Sequence, residues 1–239
     1  MWVGQQLADG LDFWGFLGSL ILGGIILGIY TGLLGYVGAK TGLSLDLLSQ
    51  RAFGEKGSYL PSAMTSFTQI GWFGVGSFVS GGTATPNFAR FAKNGKAGAI
   101  TTVVAFFIGN SLMFFFGAVS SIFGGGNDIF EVMVRLNLFY LAVLVLGLNI
   151  WTTNDNALYT AGLGLANIFH QRKKPMVLLS GIIGTVASVW LYYNFCGWLN
   201  ILNCTLPPVG IILVLGYFLN KEKYQDVGVS ETVNWFAVI

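Results

Sequence analysis

Charge is missing from long stretches of this chain, and that restricts its fold more than any other feature. From Pro175 to Asn220 there are forty-six consecutive residues without Asp, Glu, Lys or Arg, and Gly57 to Ala89 and Ala97 to Asn127 are charge-free as well. About 20 apolar residues are enough to cross the hydrocarbon core as a helix. The runs show none of the period-2 alternation of a barrel strand, and helices are the other structure that satisfies its backbone within lipid. An all-α, polytopic membrane protein is therefore predicted. Composition agrees: 54% of the 239 residues are hydrophobic and 9% are charged, against about 25% charged in soluble domains.

The predicted spans cover about Phe13 to Gly38, Tyr59 to Phe88, Ala97 to Val119, Asn137 to Phe169, Met176 to Phe195 and Thr205 to Leu219, with another beginning at Val233. Glycines at 15, 18, 23, 24, 28, 32, 35 and 38 predict that the first packs closely against other helices and does not face lipid. Leu43 to Phe53, inside a polar loop, has the apolar spacing of a short interfacial helix. Pro207 and Pro208 are expected to break the start of the last full span. Cys196 and Cys204, around a Trp/Asn-rich turn, read as two small buried residues and not as a disulfide framework. His170 reads as an interfacial cation beside Arg172, Lys173 and Lys174. Met1 leads straight into a polar segment, so no cleaved signal peptide is expected.

One polar stretch interrupts the apolar sequence: Asn149-Ile150-Trp151-Thr152-Thr153-Asn154-Asp155-Asn156. Polar side chains at mid-membrane depth are costly unless they face a partner or a water-filled cavity, so they mark substrate or ion pathways. At ~100° per residue, Asn149, Thr152, Thr153 and Asn156 share one helix face. Their neutral oxygens suit a small hard cation. The alternative is interhelical hydrogen bonding alone, which does not need an acid such as Asp155. No nucleophile/base pair or metal cluster accompanies that acid, so an enzyme is not expected.

The charges between spans carry topological information. Alternating sides from the loop at 90–96 puts 172–174 and 221–223 on its side, with Asp128 and Glu131 opposite. The loop at 40–56 is also basic and joins them only if Tyr59 to Phe88 leaves and returns. Eleven of the 12 Lys/Arg residues then lie on one, cytoplasmic, side, and Arg135 is the exception. Thirty residues cannot cross twice. Either the segment is re-entrant, with two half-length helices meeting near Gly74 to Gly76, or an even number of spans is missing between its halves. Its centre holds glycines at 71, 74, 76, 81 and 82 with Gln69, Trp72, Ser77, Phe78 and Ser80 among them. These flat rings and polar groups suit a planar, hydrogen-bonding ligand, although a glycine-rich packing helix with aromatic filler reads similarly.

Several of these stretches carry a resemblance. Leu148 to Gly164 (LNIWTTNDNALYTAGLG), Phe107 to Phe116 (FIGNSLMFFF), Thr68 to Gly76 (TQIGWFGVG), Gly28 to Gly42 (GIYTGLLGYVGAKTG) and Gly181 to Gly197 closely resemble the cytosine permeases of the nucleobase/cation symporter family. The resemblance implies a LeuT-like core of five-plus-five inverted repeats. Here that core looks incomplete, lacking the start of helix 1, helices 4 and 5 with their flanks, and the C-terminal helices, with a jump at Gly76–Ser77 inside one transmembrane domain. It implies sodium-coupled symport of cytosine or a related nucleobase by alternating access in a bacterial inner membrane. It assigns Gln69, Trp72, Ser77, Phe78 and Ser80 to the base, and Asn149, Thr152 and Thr153 to sodium. Asn154, ~140° around the helix from Asn149, is expected to contact substrate. No cofactor beyond the sodium ion, no nucleic-acid partner and a monomer in the lipid bilayer are expected; the alternative is a truncated, non-transporting permease fragment.

Overall fold

The computed structural model describes residues 11–75, 83–124, 129–224 and 232–238. They form α1 (Phe13–Thr41), α2 (Leu45–Phe53), α3 (Tyr59–Val75), α4 (Pro86–Ala89), α5 (Gly95–Gly124), α6 (Ile129–Arg135), α7 (Phe139–Phe169), α8 (Lys173–Tyr193), α9 (Phe195–Leu219), a 3-10 turn at Lys221–Tyr224 and α10 (Trp235–Val238), with no strand among the described residues. The protein is all-α and crosses the membrane several times. Phe13–Thr41, Gly95–Gly124, Lys173–Leu191 and Asn200–Leu219 are each long and apolar enough to span. α7 has 31 residues and extends about 46 Å, so it too exceeds the hydrocarbon thickness.

Three expectations need correction. The last full span does not begin after a Cys/Trp turn: α9 starts at Phe195 and runs through Pro207 and Pro208. Adjacent prolines remove two neighbouring amide donors within one turn, and in lipid unwinding the rest would leave many more backbone groups unsatisfied. Cys204 is exposed on this helix, not buried. In α1, Thr31, Leu34 and Val37 are fully buried, whereas Leu22, Ile26 and Ile29 are exposed, so its N-terminal half packs closely only along its glycine face and turns the rest outward. Of the two half-helices expected within Tyr59 to Phe88, the first is α3. Gly76 to Gly82, including the Gly76–Ser77 junction, lie outside the described residues; beyond them Thr83–Thr85 form a turn and only Pro86–Ala89 is helical. Pro86 suits the first helical position, where its missing amide hydrogen costs no bond.

The chain divides into two compact units, one of residues 1–29 with 101–152 and one of residues 30–100 with 153–239. In the first, α1 and α5 meet where a Cβ on Gly24 would touch the Phe107 ring and one on Gly28 would touch Val103 and Phe107. α6 tucks Val132 against Gly124, and its Arg135 pairs with Glu131 at 2.6 Å on the surface. Such an exposed i,i+4 pair contributes only about 0.3–0.5 kcal/mol.

The second unit is built around α2. Ser44 caps this helix, and Leu45, Leu48, Ala52 and Phe53 bury its apolar face against Leu34 and Val37 of α1, Val209, Leu213, Val214 and Tyr217 of α9, and Tyr224. The same unit gathers the basic loops at one end. A Cβ on Gly95 would meet Tyr36 and the Lys40 side chain, and Gly38 lies against Pro86. Asn87 Oδ1 accepts from the Leu45 amide at 2.8 Å. Arg90 Nη2 donates to the Tyr159 hydroxyl, whose ring lies 3.5 Å below Lys173 Nζ. The loops carrying Lys40, Arg90 and Lys173 therefore share one end, as the charge count requires.

Candidate functional site

α7 remains helical through all of 149–156, so Asn149, Thr152, Thr153 and Asn156 share a face as their spacing predicts. Asn149, Thr152 and Asn156 are exposed and Thr153 is half-buried. The Thr152 hydroxyl donates back to its own helix, to the carbonyls of Leu148 at 3.2 Å and Asn149 at 3.1 Å. Its proton is thus occupied while its oxygen can still accept or coordinate. Among the described residues no group of three His, Cys, Asp or Glu side chains is placed to hold a metal, so a cation here would rest on these neutral oxygens.

Asn154 lies on another side of the helix. Its Oδ1 is buried and has no hydrogen-bond partner among the described residues. It heads a stripe of small residues, Ala157, Ala161 and Gly164, at helical spacing, all buried. This stripe receives α3. Ser66 Oγ donates to the Ala161 carbonyl at 3.2 Å, and a Cβ on Gly164 would collide with Ser66 Oγ and stand 2.8 Å from the Ser62 carbonyl. Only glycine permits that approach, which is why α3 and α7 pack antiparallel and close. Continuing the register from Ser62 and Ser66 puts Gln69 near the level of Thr160, and the last turn of α3, which carries Trp72, runs on toward the turn holding Asn154. Gln69 is buried, 6% exposed. Gly71, between them, lies against the Trp198 ring of α9. Ser77, Phe78 and Ser80 lie outside the described residues.

The basic end of the α3–α7 pair is closed by a hydrogen-bond network that was not assigned from sequence. Ser62 Oγ donates to Asp46 Oδ1 at 2.7 Å, and Asn167 Nδ2 donates to Ser62 Oγ at 2.9 Å and Ser58 Oγ at 3.1 Å. Gln50 Nε2 donates to Asn167 Oδ1 at 2.5 Å. Beyond it, His170 Nε2 lies 2.7 Å from the Tyr59 hydroxyl, and Asn87 Nδ2 approaches Thr160 Oγ1 at 3.5 Å. Burial pushes the Asp46 carboxyl up to about 6, while the Ser62 hydrogen bond, its own backbone amide and the Arg90 guanidinium pull it back. The one sequence sign of this network was Asn167, an isolated amide in an apolar stretch.

Comparison with known proteins places this geometry in a family. A sequence model of the permeases for cytosine/purines, uracil, thiamine and allantoin matches residues 1–84 and 74–230. Cytosine permease from Escherichia coli strain K12 is 36% identical over 331 aligned positions, covering 100% of this chain and 79% of the permease, and the cytosine permease of E. coli O157:H7 gives the same figures. Allantoin permease from Bacillus subtilis strain 168 is 34% identical over 82 residues, 34% of this chain and 16% of its own length. The 331 aligned positions exceed this chain's 239 residues, so the E. coli permease carries roughly ninety residues with no counterpart here. With two helices packed through small residues, a buried acceptor at their meeting point and family matches along nearly its whole length, this chain belongs to the family of permeases for cytosine/purines, uracil, thiamine and allantoin.

Proposed function

We propose that the chain binds a nucleobase, cytosine or a close relative, where α3 and α7 meet, and carries it across a bacterial inner membrane by sodium-coupled alternating access. The observation that supports this best is the buried Asn154 Oδ1 without a partner. An unsatisfied buried acceptor costs about 1–3 kcal/mol, and a ring N–H or exocyclic amine of a base removes that cost. Gln69 supplies a second polar group, on α3, and Trp72 a face to stack on. Ser77, Phe78 and Ser80 close the other side. Sodium is held by the oxygens of Asn149, Thr152 and Thr153, which stabilises the state open to the outside. The names of the cytosine permeases favour cytosine as the base. The chain acts as a monomer, without covalent chemistry.

Vesicles containing only this chain test the reading. Labelled cytosine should accumulate under an inward sodium gradient and not under potassium. Replacing Thr152 and Thr153 together with Ala should weaken the sodium dependence before it changes base selectivity; unchanged sodium dependence would remove those residues from the cation site. The second reading, a fragment that does not transport, is favoured by the missing ninety residues and by the two family matches meeting at 74–84, around a shortening we place at Gly76–Ser77. Absence of sodium-driven uptake by vesicles with correctly inserted chain would decide for it.

A further inference from the structure

The network under the α3–α7 pair has a definite polarity. An ionised carboxylate only accepts hydrogen bonds, so Asp46 compels the Ser62 hydroxyl to donate to it. The Ser62 oxygen is then left to accept from Asn167 Nδ2, which turns the Asn167 carbonyl toward Gln50. Ser58, whose hydroxyl donates to the Glu55 carbonyl at 2.6 Å, can only accept from Asn167. Ser58 and Ser62 thus hold the Asn167 amide in one orientation, and the Ser62 proton ties it to Asp46, linking side chains of α2, α3 and α7. Those hydrogen bonds lie about one turn from Ser66 and from Gly164, whose contact sets how α3, with Gln69 and Trp72 beyond it, lies along α7. We propose that Asp46 is a positioning residue for the base site: its carboxylate, acting through Ser62 and Asn167, fixes the register at which α3 meets α7, and protonating it loosens that register. This rests on the permease reading for its link to the base, but not for the register itself.

Asp46 is 5% exposed and titrates near 6 because of its burial, so the change falls within mildly acidic conditions. The charged and titratable groups packed around this end are Arg51 on α2, Arg90 after α4, Tyr59 of α3, His170 and Tyr159 of α7, and Lys173 of α8. Arg90 is the one that acts on Asp46. A variant at Asp46 is what assigns any response to this carboxyl. A protonated Asp46 offers its own O–H and no longer dictates which way Ser62 points.

The test uses nitroxide labels at Phe67→Cys on α3 and Phe169→Cys on α7, both exposed positions, in a Cys196→Ser/Cys204→Ser background. The inter-label distance is read by electron–electron resonance on the full chain between about pH 5 and 8, alongside cytosine affinity. The expected result is one narrow distance at high pH and a second population in acid, with a midpoint near the Asp46 titration. Cytosine affinity should fall about 3- to 10-fold across the same step. Asp46→Asn and Asn167→Ala should each abolish the pH response, and Asp46→Glu should restore it. A distance distribution that ignores pH, or one that still titrates in Asp46→Asn, overturns the proposal. A register that titrates while bound cytosine is indifferent to pH overturns the link to the base site. A register that titrates in a chain that binds no cytosine at any pH leaves the lock in place and removes the permease reading.

Discussion

The two units hold their helices together in different ways. In the unit of residues 1–29 and 101–152, α1 and α5 touch where glycines admit a Phe107 ring and Val103, and much of the remaining surface is exposed aliphatic and aromatic side chains such as Leu22, Ile26, Phe116 and Leu144. In the unit of residues 30–100 and 153–239, close glycine contacts are joined by side-chain hydrogen bonds from α2, α3, α4 and α7. Lipid tails are as apolar as leucine, so burying leucine between membrane helices gains little, and close backbone approach with interhelical hydrogen bonds holds them instead. The first unit exposes most of its aliphatic and aromatic side chains. The second has an interior tied together by directed hydrogen bonds.

The largest test of this contrast is Gly164→Val. A side chain there meets Ser66 and the Ser62 backbone and forces α3 away from α7, which should cost about 3 kcal/mol, at the upper end of overpacking, in thermal unfolding in detergent. A loss of less than about 1 kcal/mol would show that the α3–α7 contact is not tight. Next, if the base sits on the α3 side of the second unit, Trp72→Ala should weaken cytosine binding roughly 5- to 150-fold, the value of one stacked base at about 1–3 kcal/mol. Trp72→Phe should lose much less. Equal losses would mean that the indole N–H or bulk matters and not its face.

Asn167→Ala removes one acceptor and two donated hydrogen bonds and should destabilise the second unit by about 2 kcal/mol, visible as a lower melting temperature. An effect of comparable size is expected from pH. The Asp46 carboxyl titrates at about 6 in the fold against an ordinary value of 3.8, so the folded chain binds this proton more tightly than the unfolded chain. Its contribution to stability therefore rises as pH falls from about 7 to 4, and Asp46→Asn should flatten that rise. Protonation thus stabilises the fold by removing a buried charge even as it releases the directed hydrogen bond. The smallest effect belongs to the first unit: a Cβ on Gly18 or Gly23 meets nothing, so Gly18→Val and Gly23→Val should change stability by under about 0.5 kcal/mol. A large loss there would erase the distinction between the units.

Much of this was legible in the residues. Charge-free runs dictated helices, because unpaired backbone is not tolerated in lipid. The count of Lys and Arg required the loops at 40–56 and 90–96 to share an end, and the contacts of Gly38, Lys40 and Asn87 place them together. The helical face of Asn149, Thr152 and Thr153 followed from spacing alone. The continuation of α9 through Pro207 and Pro208 did not, since proline propensity says nothing about the surroundings that hold the rest of a helix intact.

Sequence by itself determined the fold class, the sidedness of the basic loops and which polar residues share the centre of α7, because each depends on local periodicity or on the cost of moving charge into lipid. Tertiary structure decided that Asn154 buries an acceptor without a partner among the described residues, that Gly164 admits Ser66, and that Asp46, Ser62 and Asn167 form one network. Asp46 and Ser62 stand 16 residues apart and Ser62 and Asn167 stand 105 apart, and a hydroxyl, an amide or a carboxylate is unremarked in isolation. Whether such a group is solvated or locked depends on what the fold brings against it, and here that is the close antiparallel packing of α3 on α7.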